Sequence, residues 1–409
     1  MYNKRMFKRE NQNPEEENTI PAEDLKEAML TDAISNRVSD IHIEPTTNNL
    51  LIRFRIDGVL HAWARRPLFE LEQFISHLKI ISNLDITHHA TPQEAHFVWA
   101  VPVGKRQEQT KSHVIDVRSS FFPTVFGEAV VLRILNRNDL LIRLEDLGFS
   151  DANDLQAVRY LINRPTGMVL VTGPAGSGKT TTLYSMLHEL MNESRNIITL
   201  EDPVEYYLDL IRQSQIAPHL GYSFAVGIRS ILRQDPDIIM VGEIRDFETA
   251  ENAIRASLTG RLLLSTLHAN SSVGTITRLL DMKIEKDMIA YSLSGVISQR
   301  LVRKVCEFCR ENYRPLAEVA NELGLSRNET FIHGKGCDKC QNTGFQGRVG
   351  IFEILKIDEE LHRLIITEAP PIDIQKVARD KGLKTLREDG IQKIRSGITT
   401  PEEVLKVTS

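Results

Sequence analysis

The chain has 409 residues, of which 41% are hydrophobic and 26% are charged, and its formal net charge is −5. These values exclude a fibrous or wholly disordered protein, and a length of this order predicts two or three domains. The slight excess of acid gives no general support for nucleic-acid binding, and no apolar run approaches the ~18 residues of a membrane helix.

The N-terminal part of the chain predicts a polar tail followed by a small α+β domain. Residues 1–20 are rich in Glu and Asn and lack the apolar segment of a signal peptide, so we expect a disordered tail. The domain is expected to span residues 21–140. Its predicted elements are a helix over 22–37, strands over 50–56 and 59–63 joined by a tight turn at Asp57-Gly58, a helix near 69–83, and strands over 114–120 and 130–135.

From residue 141 to residue 409 the pattern predicts an α/β domain. An amphipathic helical stretch over 144–164 comes first and ends before Pro165. Four continuous apolar strands separated by helical segments follow, which is typical of a parallel sheet covered on both faces. Residues 300–350 hold all four cysteines, and 355–409 return to amphipathic helix. The four strands are MVLVTG (168–173), NIITLED (196–202), DIIMVGE (237–243) and RLLLSTLHA (261–269).

The first of these strands leads into a predicted phosphate-binding loop. The residues from Gly173 to Thr180 match G-x-x-x-x-G-K-[ST] between a strand and a helix. Backbone N–H groups of such a loop bind phosphate oxygens, Lys179 reaches the β- and γ-phosphates, and the Thr180 hydroxyl holds Mg²⁺. A glycine-rich turn without a ligand is the alternative, and the preceding apolar strand argues against it. The predicted ATP-binding residues here are Gly173, Pro174, Ala175, Gly176, Ser177, Gly178, Lys179, Thr180 and Thr181.

Polar residues at three other strand ends are candidates for the chemistry. One strand leads into Glu243, and another into Glu201, Asp202 and Glu205. Either Glu205 or Glu243 could position or deprotonate the attacking water while the other helps to hold the metal. Glu201 and Asp202 are expected to help bind the nucleotide, and His268 to sense the γ-phosphate. Each alone could be a solvated strand end, but together they predict a ligand site at one edge of the sheet.

The four cysteines form two C-x-x-C pairs, Cys306 with Cys309 and Cys337 with Cys340, separated by residues 310–336. Four cysteines in so long a chain exclude a disulfide scaffold and point to an intracellular protein. Two such pairs can close a tetrahedral site of four thiolates, which suits structural Zn²⁺ and leaves no position for a substrate. Unpaired buried thiols and a redox pair are the alternatives.

Four strings of the second domain together resemble the secretion ATPase superfamily, whose members power type II secretion, type IV pilus assembly and DNA uptake. The resemblance implies a RecA-like P-loop motor domain preceded by a smaller, PAS-like α+β domain, with a zinc insert and a C-terminal helical part. SDIHIEP (39–45) and RFRIDG (53–58) match the smaller domain. The four strings, which correspond to the Walker A, Asp box, Walker B and His box of the family, are GPAGSGKTT (173–181), TLEDPVEY (199–206), LRQDPDIIMVGEIRD (232–246) and STLHAN (265–270).

The resemblance also implies how the chain assembles and acts. The smaller domain of the family carries two arginines that approach the phosphates, and they align with Arg118 and Arg133; guanidinium groups bind phosphate oxygens in pairs. Without that alignment each would be an exposed strand residue. Family members act as homohexamers on an inner-membrane platform protein, which implies a cytoplasmic location, peripheral at the inner face of the membrane. The net acidity separately predicts no nucleic-acid partner. At the position where many secretion members carry an additional docking domain, we expect only a short polar tail.

The sequence therefore predicts a motor ATPase that uses ATP, Mg²⁺ and Zn²⁺ and drives pilin or pseudopilin assembly for type II secretion or type IV pilus extension. A pilus-retraction motor is the alternative within the superfamily, and it usually lacks the tetracysteine motif. A DNA-uptake or transfer motor is disfavoured by the net acidity and by the absence of a basic stripe with interleaved aromatic residues. A nucleotide-binding scaffold without turnover is disfavoured because Lys179 and both glutamate candidates are present.

Overall fold

The computed structural model describes residues 21–100, 114–135, 142–326 and 328–409. The chain divides into two compact units, Met1–Asn136 and Arg137–Ser409. The predicted tail over residues 1–20 and the predicted boundary at residue 140 lie outside the described residues, so the domain limits stay a prediction. Within the described ranges, no helix combines the length and the apolar character needed to cross a membrane.

The first unit contains an antiparallel sheet covered by two helices on one face. Its elements are α1 (Ala22–Ser35), β1 (Val38–Pro45), β2 (Asn49–Ile56), β3 (Val59–Pro67), α2 (Glu70–Ile81), β4 (Gln93–Ala100), β5 (Val114–Thr124) and β6 (Gly127–Leu135). The strands lie in the order β3-β2-β1-β6-β5-β4. Ile41 and Phe54 share one buried core with Met29 of α1 and Phe74 of α2. Because side chains alternate across a strand, the opposite face of the sheet carries polar residues.

Most of the elements predicted for this unit are confirmed. The hairpin between β2 and β3 turns at Asp57 and Gly58, whose φ angles are 48° and 87°. Positive φ at both central residues is what a tight hairpin turn requires, so the Asp-Gly pair predicted it correctly. Strand β4 was not predicted: only Phe97 and Trp99 of its eight residues are buried, and its first half carries the polar residues Gln93, Glu94 and His96.

The second unit is built on a seven-stranded sheet in the order β15-β12-β7-β11-β10-β8-β9. All neighbouring strands are parallel except β15, which pairs antiparallel with β12. Its elements are a 3-10 turn (Leu144–Leu147), α3 (Ala152–Ile162), β7 (Gly167–Thr172), α4 (Lys179–Leu190), β8 (Ile197–Glu201), β9 (Ile211–Gln215), α5 (Phe224–Ile231), β10 (Ile238–Val241), α6 (Phe247–Leu258), β11 (Leu262–Leu267), α7 (Ser272–Asp281), α8 (Lys286–Ser292), β12 (Leu293–Val305), β13 (Arg310–Tyr313), α9 (Ala317–Glu322), β14 (Phe331–Gly334), β15 (Phe345–Lys356), α10 (Glu359–Ile366), α11 (Pro371–Asp380), α12 (Leu386–Arg395) and α13 (Pro401–Thr408).

The sheet of the second unit is buried on both faces, as its continuous apolar strands predicted. In β7, Met168 and Leu170 belong to one hydrophobic core, whereas Val169 and Val171 belong to the core on the other face. All four side chains are fully buried. This double burial is why the strand carries no alternating polar residues.

Two features of the second unit differ from the sequence-based expectation. The single helix expected over 144–164 is divided, because Gly148 takes a left-handed φ of 95° and Asp151 caps a new helix by accepting N–H bonds from Asn153 and Asp154. The long strands β12 and β15 were not predicted either. The cysteine-containing segment lies between these two strands, and it includes α9 and the small β13–β14 pair.

Candidate functional site

The phosphate loop joins β7 to α4 at the carboxyl edge of the parallel strands. Gly173, Gly176 and Gly178 have φ angles of 154°, 75° and 88°, which residues other than glycine rarely adopt. A Cβ atom on Gly173 would also lie 2.5 Å from the carbonyl oxygen of Gln299 in β12. The glycines therefore let the backbone turn sharply while it lies against a neighbouring strand, as the motif predicted.

Two side chains of this loop fit the phosphates of a nucleotide. The Lys179 Nζ donates hydrogen bonds to the carbonyl oxygens of Gly173 and Pro174, both at 2.9 Å. Burial lowers the pKa of Lys179, and the negative charge of Glu243 opposes this shift. Ser177 is buried, and its Oγ has no hydrogen-bond partner among the described residues. A phosphate oxygen would supply that missing acceptor, and the loop is therefore suited to a polyanion.

The remaining loop residues named from the motif differ in their exposure. Pro174 and Ala175 are exposed, as is Thr180 in the first turn of α4, and Thr181 is half-buried. The exposed Thr180 hydroxyl is therefore accessible to an ion. Its binding of Mg²⁺ stays a prediction.

Glu243 and His268 lie together beside the loop. Strand β11, which ends before His268, directly adjoins β7, and β10, which precedes Glu243, is the next strand out. The Nε2 of His268 is 3.8 Å from one carboxylate oxygen of Glu243, and Arg245 forms an ion pair with the other. The hydrogen bond to Glu243 raises the pKa of Arg245. The Glu243 carboxylate therefore has a cation on one side and an ionisable ring on the other, within electrostatic range of Lys179.

The residues after β8 divide into a buried carboxylate and a surface segment. Glu201 is 3% exposed, and its carboxylate accepts hydrogen bonds from Tyr184, Thr199 and Gln213. Asp202 is exposed and lies close enough to Arg245 to raise its pKa further. Glu205 is half-buried. The contacts of Glu201 give it a structural position, and its predicted nucleotide contact, like that of Asp202, stays a prediction. The predicted role of Glu205 toward the attacking water or the metal also stays a prediction.

The two arginines predicted from the resemblance lie opposite each other in the first unit. Arg118 of β5 pairs in register with Arg133 of β6, and the next strand along contributes Asp40. The Arg133 Nε donates to Asp40 at 2.9 Å, and Arg55 lies 3.8 Å from the other oxygen of the same carboxylate. The sheet thus gathers guanidinium groups on its polar face, and a contact with nucleotide phosphates stays a prediction.

The four cysteines meet in one cluster. Their Sγ atoms all lie within 4.8 Å of one another, and three of the separations are 3.9 Å (Cys306 to Cys337), 3.8 Å (Cys309 to Cys340) and 3.7 Å (Cys337 to Cys340). A tetrahedral zinc with four sulfur ligands at about 2.3 Å has sulfur–sulfur edges of about 3.8 Å. The donor set and its dimensions therefore fit Zn²⁺.

Backbone N–H groups donate hydrogen bonds to one sulfur atom of this cluster. The Cys340 Sγ accepts N–H bonds from Cys337 at 3.2 Å and from Gly344 at 3.3 Å. Burial by itself would raise the pKa of Cys340, but these N–H groups offset the effect and lower the pKa to about 7. Burial raises the pKa of Cys309 to about 12. Peptide N–H groups directed at sulfur are also what stabilises a metal-bound thiolate.

Comparisons with known proteins agree with this geometry. The family model of the type II/IV secretion system protein matches residues 15–406. The chain belongs to that family. It is 46% identical over 392 residues to the type II secretion system protein E of Dickeya dadantii, which covers 96% of this chain and 76% of the relative. It is also 43% identical over 388 residues to the type IV pilus assembly ATPase PilB of Thermus thermophilus, covering 94% of this chain and 42% of the relative.

A solved structure supports the fold assignment. The pilus retraction motor PilT with bound ADP superposes with a TM-score of 0.61 at 26% sequence identity, covering 93% of this chain and 96% of that one. The parallel sheet, the phosphate loop and the strand-end residues thus form the RecA-like architecture that the sequence predicted. The family resemblance inferred from the four motif strings is confirmed.

The structure also reveals residues that the sequence analysis did not select. Arg245 is two positions after Glu243 and lies within a recognised motif string, so its closeness to Glu243 could have been predicted from the sequence. Arg300 donates hydrogen bonds to the carbonyl oxygens of Gln299 and Asn270, and its charge contributes to lowering the pKa of Lys179. No local pattern distinguishes Arg300 from other strand arginines, because its position depends on β12 lying beside β7.

Proposed function

We propose that the chain hydrolyses ATP and that this hydrolysis drives the assembly of pilin-like subunits for type II secretion or type IV pilus extension. The observation that supports this most directly is the meeting of Lys179, Glu243 and His268 at the carboxyl edge of the parallel sheet. Ligands bind at this edge in α/β proteins. The family and the curated relatives add the context of secretion and pilus assembly.

The residues divide the chemistry between them. Lys179 and the loop N–H groups bind and orient the phosphates. The positive charge of Lys179 neutralises part of the negative charge on the phosphate oxygens. Glu243, with Glu205 as the second candidate, holds or takes a proton from the attacking water. The His268 ring lies 3.8 Å from the Glu243 carboxylate, so it is placed to interact with that carboxylate and with the γ-phosphate of a bound nucleotide. Mg²⁺ supplies further charge neutralisation when bound, with Thr180 as the side chain that would hold it.

The cysteine cluster has a separate, structural role in this proposal. Cys306, Cys309, Cys337 and Cys340 would hold one Zn²⁺ with all four positions occupied by sulfur. Such a site joins the two turns of the segment between β12 and β15. Because such a site has no open coordination position, it would take no part in the reaction at the phosphate loop.

Steady-state ATPase assays on the full chain test the catalytic part of the proposal. We expect K179A and E243Q each to lower turnover by a factor of about 100 or more, since single preorganised charge contacts contribute effects of this size. K376A and E248Q are matched controls, because Lys376 is exposed on α11 and Glu248 is exposed at the start of α6. Unchanged turnover in both K179A and E243Q would show that the proposal is wrong.

A genetic experiment tests the direction of the motor. Deleting the gene is expected to abolish secretion or pili, whereas deletion of a retraction motor leaves pili accumulated. The proposed homohexamer and its inner-membrane platform partner follow from the family, and they are tested by the mass of the assembled protein with ATP and by co-purification with that membrane protein. A monomer in all nucleotide states would contradict the ring.

A further inference from the structure

The segment Pro203–Leu208, which carries Glu205, is held by side chains from outside it. The Val204 N–H donates to the side-chain oxygen of Gln215 at 3.3 Å, and the Leu208 N–H donates to that of Gln213 at 2.7 Å. No strand ladder covers these residues, which lie between β8 and β9. The conformation of the segment therefore depends on a few side-chain contacts.

Tyr184 is the central one of these contacts. Its hydroxyl donates to the buried Glu201 carboxylate and accepts N–H bonds from Glu205 at 3.3 Å and from Tyr206 at 3.4 Å. The carbonyl oxygen of Tyr206 lies 3.4 Å from the same hydroxyl as a second acceptor, and the single hydroxyl hydrogen goes to the nearer, charged Glu201 carboxylate. Burial first, and then the Glu201 charge, raise the pKa of Tyr184, which keeps the hydroxyl protonated and able to donate.

Gln213 completes the same network. Its side-chain amide donates to Glu201 at 3.0 Å and to the carbonyl oxygen of Tyr206 at 2.8 Å. Glu201 thereby accepts hydrogen bonds from Tyr184 and Gln213, two of the side chains that hold the segment. A buried carboxylate with three donors fixes its partners in one arrangement, because any displacement leaves a buried charge without a hydrogen bond.

The position of Tyr184 in the fold connects this network to the phosphate loop. Tyr184 lies on α4, the helix that begins at Lys179, and a five-residue separation is about 7.5 Å along a helix axis. The helix that binds the phosphates thus also carries the hydroxyl that holds the backbone of Glu205. A shift of α4 when nucleotide binds would move both together.

We infer that Tyr184 is a positioning residue for Glu205: through its hydroxyl it fixes the backbone N–H of Glu205 relative to the phosphate loop. Tyr184 does not touch the reacting atoms and acts through Glu205. The inference rests on the proposed ATPase function and adds to it a specific residue that none of the motif strings assigns to the reaction. The alternative is that Tyr184 only fills the core.

The first experiment is a set of ATPase assays on Y184F, E205Q and the double variant. Y184F is expected to lower kcat at least tenfold while the KM for ATP stays within about twofold, because phosphate binding by Lys179 is intact. Residues that act as one unit are not additive, so Y184F should reduce the residual rate of E205Q by less than twofold. Equal reduction by Y184F in both backgrounds, or an unchanged kcat in the single variant, would overturn the inference.

Tyr207 provides a matched control in the same segment. Its side chain is 71% exposed, so Y207F also removes a phenolic hydroxyl but should leave kcat and KM unchanged. If Y184F folds poorly, Q213A is the second variant, since it removes the other contacts to Tyr206 and Leu208 and should lower kcat in the same way. A normal kcat in folded Q213A would count against the network.

A second experiment does not depend on turnover. Hydrogen exchange of the full chain should show the amides of Glu205 and Tyr206 exchanging at least tenfold faster in Y184F than in the wild type or Y207F, with β7 and β10 unchanged as an internal reference. Equal exchange in all three proteins would overturn the inference even if the wild type hydrolyses ATP. If exchange is faster in Y184F but the wild type does not hydrolyse ATP, the hydrogen-bond network is supported and the proposed function is wrong.

Discussion

The cysteine cluster allows a quantitative prediction about metal binding. Structural Zn²⁺ sites of this type contribute about 10–16 kcal/mol of apparent binding free energy. Three of the Sγ–Sγ separations are 3.7–3.9 Å, close to the edge of a tetrahedral four-sulfur site, and we take the four ligands to share this energy evenly. Replacing one thiolate should then remove about 3 kcal/mol, and each 1.4 kcal/mol corresponds to a factor of about 10 in affinity. C340S should bind zinc at least about 100-fold more weakly.

The assay is a competition between the protein and a chromogenic chelator, after metal analysis of the purified chain. The wild type should contain one zinc per chain, and C340S should release it at a chelator concentration about 100-fold lower. K339A is the matched control, because Lys339 is exposed in the same turn. Wild-type protein with no metal and four titratable thiols, or identical release curves for wild type and C340S, would refute the reasoning.

Three further predictions concern the stability of the second unit, each measured by urea unfolding. K393M should destabilise it by about 3–5 kcal/mol, because Asp389, 2.7 Å from the Lys393 Nζ and almost fully buried, would lose its cation; a cost below about 1 kcal/mol would contradict this. Burial would raise the pKa of Glu403, but its hydrogen bonds to Arg303 hold the pKa below the ordinary value of 4.5, so the wild type should lose stability relative to E403Q as the pH falls below that value. The same loss of stability with falling pH in the wild type and in E403Q would contradict this prediction. G148A should cost more than about 1 kcal/mol, since the position has a φ of 95° and the added Cβ would lie 2.2 Å from a valine methyl of β15; wild-type stability in G148A would exclude the clash.

The sign of the acid effect follows from proton binding. In the folded protein Glu403 keeps its charge to a lower pH than in the unfolded chain, so the unfolded state binds more protons as the medium becomes acidic. The contribution is complete above the unfolded pKa. It is lost as the pH falls through the folded pKa.

Several parts of the candidate site could be predicted from the sequence because they are local in the chain. The loop from Gly173 to Lys179 needs particular backbone angles and a particular cation at fixed spacing, so its letters are sufficient to identify it. Each of the two C-x-x-C pairs is a local turn, and four thiols in this spacing are typical of a metal site. The apolar strands before Glu243 and His268 were equally evident, because double burial removes polar residues from them.

Other parts could not be predicted because they depend on which strands are neighbours. The antiparallel pairing of β12 with β15 joins residues that are separated by the whole cysteine segment, and no short pattern specifies such a pairing. The division of the helix at Gly148 places Phe149 against Phe352 of β15, with the ring centroids 4.4 Å apart. Glu201 was expected to serve the nucleotide on the strength of its motif, whereas its contacts with Tyr184 and Gln213 became visible only in the folded chain.

The sequence by itself determined the family, the phosphate loop and the two pairs of cysteines, since each depends on residue types at short, fixed separations that the backbone geometry itself requires. The charge of −5 concealed the clustering of Arg118 with Arg133 and of Lys179 with Glu243 and His268, because composition does not record position. Only the tertiary structure decided which side chains hold one another. Tyr184 acquires its three hydrogen bonds because α4 shares a hydrophobic core with β8, and this long-range packing brings those groups within bonding distance.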